Sequence, residues 1–159
     1  MKVEVVCTTD HPTDELVFHK QASAQDDELI AALEDRIAFF DQHGCKLSDH
    51  GLAQLFAIDY SAAALDEILQ KRRTDKRIDR QESAAFQMAV LFELSKIYHT
   101  KNWTMQLHLG AIRNNNDRLL RTVGADVGAD SIGDYAQAEG LSVFLNRLDT
   151  EGKLAKTIL

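Results

Sequence analysis

Apolar positions along the chain switch between two periods. From Asp26 onward Leu29, Leu33 and Ile37 recur at four-residue steps with Ile30 and Phe40 beside them, the stripe of an amphipathic helix. Gly44 stands where a left-handed C-terminal cap is expected. The period then drops to two: Cys45, Leu47 and Asp49 alternate with Lys46, Ser48 and His50, predicting a strand that ends in an exposed acid and imidazole. After a loop from Gly51 to Tyr60, the run Ala62 to Lys71 is helical. The spacing of Asp79 and Glu82 offers a capping box for a long helix in which Phe86, Val90, Leu94 and Ile97 share a face. Lys101 and Asn102 close that helix, and Thr104 to Leu109 alternates again. Thr104, Gln106 and His108 therefore share one face and Met105, Leu107 and Leu109 the other. A further helix is predicted roughly from Tyr135 to Leu148, and Lys156 to Leu159 open a last strand. Upstream, Val3 to Thr9 is a β-branched run ending at Asp10-His11-Pro12, and Pro12 with Thr13, Asp14 and Glu15 suits a helix start.

Strands alternating with helices over this length indicate parallel β/α units, whose chemistry sits at the carboxyl ends of the strands. Asp10, Asp49, His50, His108 and Arg113 are accordingly expected on one rim. Composition narrows the classes of function. At 159 residues, with 45% hydrophobic and 27% charged positions, the chain suits one globular domain with a substantial core. A net charge of -7 argues against a nucleic-acid partner, because the one basic cluster, Lys71 to Arg80, is interleaved with Asp75 and Asp79 and reads as a solvated loop and helix start. Cys7 and Cys45 both fall in predicted strands as small hydrophobes, without a disulfide framework or a Cys-x-x-Cys metal motif. No apolar run reaches the ~20 residues of a membrane span, so no membrane partner is expected and the cytoplasm is the default compartment.

The densest chemistry lies between Trp103 and Asp134. His108 is the last polar side chain before Gly110 breaks the strand; Arg113 and three asparagines follow, and a glycine-punctuated loop carries Asp126, Asp130 and Asp134. Each of these residues also has a plain structural use. A histidine at a strand end often satisfies a backbone carbonyl, Asp49 can cap the next segment, and Arg113 can pair with Asp126 or Asp130 to pin the loop. Asn114, Asn115 and Asn116 suit shaping the backbone or capping a helix. His11, His19, His43 and His99 read as bystanders.

The run His108-Leu-Gly-Ala-Ile-Arg113-Asn-Asn-Asn116, followed by Gly124-Ala-Asp-Val-Gly-Ala-Asp-Ser-Ile-Gly-Asp134, resembles the uronate isomerases of the amidohydrolase superfamily. Gly44-Cys-Lys-Leu-Ser-Asp-His-Gly51, Cys7-Thr-Thr-Asp-His-Pro12 and Lys156-Thr-Ile-Leu159 extend the likeness over nearly the whole chain. The resemblance implies a parallel (β/α)8 TIM barrel, of which residues 1–159 form one partial domain from about the second strand to the start of the sixth. It also implies aldose to ketose interconversion of hexuronates, D-glucuronate to D-fructuronate and D-galacturonate to D-tagaturonate. In that reading His108 and Asp49 are the catalytic candidates, and Arg113, His50 and Asn114 bind the hexuronate sugar acid. The family implies a homo-oligomer and a divalent metal, zinc first, held by a His-x-His pair on the first strand and an aspartate near the last.

This sequence departs from that pattern in two ways. It contains no His-x-His pair, so no metal is expected to bind this chain. About five residues, near positions 20–26, replace a longer family segment that carries a Trp-Arg-Pro arginine. The expectation is therefore an incomplete barrel, a fragment inactive alone, with two alternatives: a noncatalytic α/β module that keeps a carboxylate-binding rim, or a metal-dependent hydrolase on the same scaffold.

Overall fold

The helix expected from Asp26 forms as α1, Asp26–Gln42, in the computed structural model, which describes residues 26–159 and their side chains from 29 onward. The expected strand at 3–9 with Cys7, the rim residue Asp10 and the helix start at Pro12 lie outside the described residues. In α1, Leu29 and Ile37 are buried, with Leu33 and Phe40 packed beside them. Gly44 takes a φ of +91°, and the His43, Gly44 and Cys45 N–H groups donate back to carbonyls of the last turn, satisfying a helix end that would otherwise lack partners. The chain then enters β1, Leu47–Leu52.

Local chemistry sets the next boundaries. Ser61 caps α2, Ala62–Arg73, by accepting from the Ala64 N–H at 3.2 Å. The capping box forms: the Asp79 carboxylate accepts from the Glu82 N–H at 2.8 Å and the Glu82 carboxylate from the Asp79 N–H at 2.9 Å, opening α3, Arg80–Thr100. Asn102, at a φ of +53°, turns the chain into β2, Thr104–Leu109. Three short elements that periodicity did not resolve follow, β3 (Ala111–Ile112), α4 (Asp117–Thr122) and β4 (Ser131–Ile132). The helix α5 spans Ala138–Thr150, starting later than expected from Tyr135, and β5 is Lys156–Ile158.

β1, β2 and β5 form a parallel sheet in that order, and β3 pairs antiparallel with β4. The helices cover one face of the sheet. Ser48, His50 and Leu52 of β1 and Met105 and Leu107 of β2 point into that layer and are buried. α3 runs through its centre against α1, α2, α5 and β2. For that reason it buries residues around most of its circumference, from Phe86 and Met88 to Leu91, Phe92, Ser95 and Tyr98, and not only on the face its periodicity suggested. Tyr98 stacks on Trp103 with ring centroids 5.7 Å apart, and the Trp103 indole donates to Asp41 at 2.8 Å, tying α1 to the start of β2. The architecture is thus a partial parallel β/α arrangement: among the described residues its three parallel strands do not close into a barrel. No helix among those residues is long and apolar enough to cross a membrane.

Candidate functional site

Parallel register brings the polar positions of β1 and β2 together. Asp49 pairs with Gln106 and Gly51 with His108, so all four positions belong to the sheet face turned away from the helices. Asp49 retains only 19% of its side-chain exposure, and the Gln106 amide donates to its Oδ1 at 3.2 Å. Its other oxygen, Oδ2, lies 4.0 Å from His108 Nδ1, beyond hydrogen-bonding distance but close enough for a charged imidazole to pair with it. His108 stands open, with 60% of its side chain exposed. The expected exposed acid at the end of the strand is corrected: Asp49 is the third of six residues in β1 and sheltered, because pairing with β2 carries the strand on to Leu52. A sheltered carboxylate beside an accessible imidazole can hold and move a proton.

The chain reverses immediately beyond β2. Gly110 adopts a φ of +84°, its N–H donates to the Leu52 carbonyl at 2.9 Å, and its own carbonyl accepts from the Gly133 N–H at 2.7 Å. These bonds fold the 111–134 loop back over the carboxyl end of β1. Arg113 is carried with it: its guanidinium lies directly against Gly51, where a β-carbon would overlap Nη2 and come within 3.3 Å of Cζ. Asp130 holds the arginine from the other side, accepting from Arg113 Nη1 at 2.9 Å while its second oxygen accepts from the Asn114 N–H at 2.9 Å. The Asn114 backbone bond, followed by the charge and hydrogen bond of Arg113 and the nearby His108, keeps the Asp130 carboxyl below its usual value of 3.8.

The structure thus brings Asp49, His108 and Arg113 to one rim. It does not bring His50 there. The expected exposed imidazole is corrected, because His50 is one residue out of phase with Asp49 and faces the helices, only 7% exposed, with Nε2 paired to the Tyr98 hydroxyl at 3.1 Å. Burial pushes that hydroxyl well above its ordinary value. The asparagines take loop roles. Asn114, at a φ of +53°, accepts from the Asp126 N–H at 2.9 Å; Asn115 bonds to Ser131; Asn116 caps α4 through the Leu119 N–H at 3.1 Å. Sequence reasoning passed over Gln106 and Gly51, although both lie at the alternating positions shared with His108 and Asp49. It named Asp130 only as an alternative partner for Arg113. Among the described residues no three His, Cys, Asp or Glu side chains are grouped to hold a metal ion.

The glucuronate isomerase family model matches residues 25–159. Uronate isomerase of Flavobacterium johnsoniae is 41% identical over 199 aligned residues that take in 100% of this chain and 43% of the relative. For uronate isomerase of Cellvibrio japonicus the identity is 39%, with 99% and 42% covered. Since 199 aligned residues exceed the 159 of this chain, the relative carries residues within the aligned span that the chain lacks. The crystal structure of uronate isomerase from Thermotoga maritima superposes with a TM-score of 0.77 at 26% identity, over 96% of this chain and 43% of that one. That of glucuronate isomerase from Caulobacter crescentus gives 0.69 at 25% identity, over 87% and 30%. The chain spans less than half the length of the relatives it matches.

Proposed function

This chain belongs to the glucuronate isomerase family, and from that premise we propose that it carries the β1–β2 portion of a cytoplasmic enzyme that interconverts aldose and ketose hexuronates. The observation that supports the reading best is the convergence of Asp49, His108 and Arg113 on one rim, within the stretch matched by the family model. The reaction moves a proton from the hydroxyl-bearing carbon beside the aldehyde to the aldehyde carbon itself, while the hydroxyl proton passes to the former carbonyl oxygen. His108 and Asp49 are the pair that relays protons or polarises hydroxyls at that end of the open-chain sugar. Arg113, with a planar guanidinium suited to a carboxylate, holds the other end.

A coupled isomerase assay with D-glucuronate and D-galacturonate tests this, run on the 159-residue chain and on the intact Flavobacterium johnsoniae relative. The chain alone, supplied with zinc or manganese, is expected to show no turnover, because a reacting group misplaced by about 1 Å can cost a hundredfold and this sequence has no His-x-His pair. In the intact relative, His108→Ala, Asp49→Asn and Arg113→Met, made at the matching positions, should each lower kcat/KM by at least about a hundredfold. Near-normal activity of those variants would remove the three residues from the mechanism. Robust turnover by the short chain would overturn its reading as an incomplete enzyme.

A further inference from the structure

The guanidinium of Arg113 is on the open side of the sheet for reasons that do not lie in Arg113 itself. It is half exposed, at 48% of its side chain, on a loop, and a free arginine there would sample many rotamers. Two features on different elements remove that freedom. One is an empty position: Gly51 is in β1, in register with His108, and the space a side chain would occupy is filled by Arg113 Nη2. The other is a tether: Asp130 grips Nη1 with one oxygen and the Asn114 backbone with the other, so that the carboxylate fixes both the arginine head and the turn from which it extends.

We infer that Gly51 and Asp130 are positioning residues for Arg113: Asp130 holds one edge of the guanidinium, and the missing side chain at Gly51 lets it lie across the end of β1 beside His108. This deepens the preceding reading of Arg113 as the anchor for a sugar-acid carboxylate and rests on it for the identity of the ligand. One amino group is committed to Asp130, and the donors not committed there remain for a substrate carboxylate. A glycine serves at position 51 because of what crosses it and not because of its backbone, since only the end of a mobile side chain would have to move for alanine to fit. Gly51→Ala is therefore expected to leave the fold intact while displacing Arg113.

The test is nuclear magnetic resonance of the arginine side chains in the 159-residue chain, with the Arg113 Nε–Hε signal identified by its loss in Arg113→Met. In the unaltered chain that signal should be resolved from those of freely rotating arginines. Gly51→Ala and Asp130→Ala should both move it to their position, with the β1 and β2 amide signals preserved. Asp130→Asn retains an acceptor for the Asn114 N–H, so it separates the ion pair from loop folding, and it should move the Arg113 signal as well. An Arg113 signal unchanged in Gly51→Ala or in both Asp130 variants overturns the inference. Titration with D-glucuronate, and with uncharged D-glucose as the control, then tests the ligand. The half-saturating D-glucuronate concentration should rise about tenfold in each variant, the scale of one charged hydrogen bond, and that for D-glucose should not change. If D-glucuronate leaves Arg113 unperturbed in the unaltered chain, the carboxylate reading fails, while the response of the side-chain signal to the variants still decides the positioning.

Discussion

His50 and His108 lie on neighbouring strands, within two register steps of one another, and have opposite fates. His50 is sealed against α3, paired with Tyr98, and belongs to the apolar layer with Met105 and Leu107. His108 stands open beside Asp49. A single-residue phase difference separates them, because side chains along a strand alternate between the faces of the sheet. The helix-facing side is filled by packing, and His50 lies in it with its ring paired to the Tyr98 hydroxyl. The opposite side carries Asp49, Gln106 and His108, with Arg113 laid across a glycine. Residue type alone does not distinguish the buried histidine from the open one here; the side of the sheet does.

The largest effect expected from breaking this comparison comes from the buried histidine. His50→Ala should destabilise the chain by about 2–4 kcal/mol, through the cavity and the Tyr98 hydroxyl left without its ring partner, whereas His108→Ala should stay within about 0.5 kcal/mol. Urea unfolding of both variants checks the difference, and equal losses would erase the distinction between the two sides. A second pair uses glycines. A β-carbon at Gly140, in the first turn of α5, would overlap the Leu55 carbonyl, which is backbone and cannot swing away. Gly140→Ala should therefore cost about 1–3 kcal/mol, against a change within about 0.5 kcal/mol for Gly51→Ala, where only the Arg113 side chain has to move. Thermal unfolding of the two variants side by side provides the measurement.

The smallest effect is in acid and concerns the open side alone. The folded chain holds the Asp130 carboxyl below 3.8, so its contribution is complete above that value and is lost as pH falls through the lowered one. The Asn114 amide signal should titrate with a midpoint below 3.8 as the tether loosens, and Asp130→Asn should abolish that titration. A midpoint at or above 3.8 would show that the contact adds nothing to the charged form.

Much of this was legible in the chain. The α1 stripe, the capping box at Asp79 and Glu82, and the alternation from Thr104 to Leu109 predicted their elements because each depends on neighbours a few residues apart. The strand containing Asp49 was legible too, but not its limits: Leu47–Leu52 runs past His50 into Gly51 and Leu52, and that extension comes from pairing with β2. The three asparagines suggested a shaped turn and a cap, and Asn116 is the cap of α4. The two-residue strands β3 and β4 escaped, since nothing at their own positions marks them and only their pairing across the loop makes them strands.

By itself the sequence determined the parallel β/α class, the family to which the chain belongs, and the place of Asp49 and His108 on strands with Arg113 in the loop beyond the second, because periodicity, caps and motif order are properties of local spacing. Only the tertiary structure decided that His50 turns inward, that Gln106 serves Asp49, and that Gly51 and Asp130 seat Arg113. Those outcomes depend on register between strands more than fifty residues apart and on a loop folding back over a glycine. Such contacts follow from which face the helices cover, a choice made by the packing of the whole layer and not written at any one position.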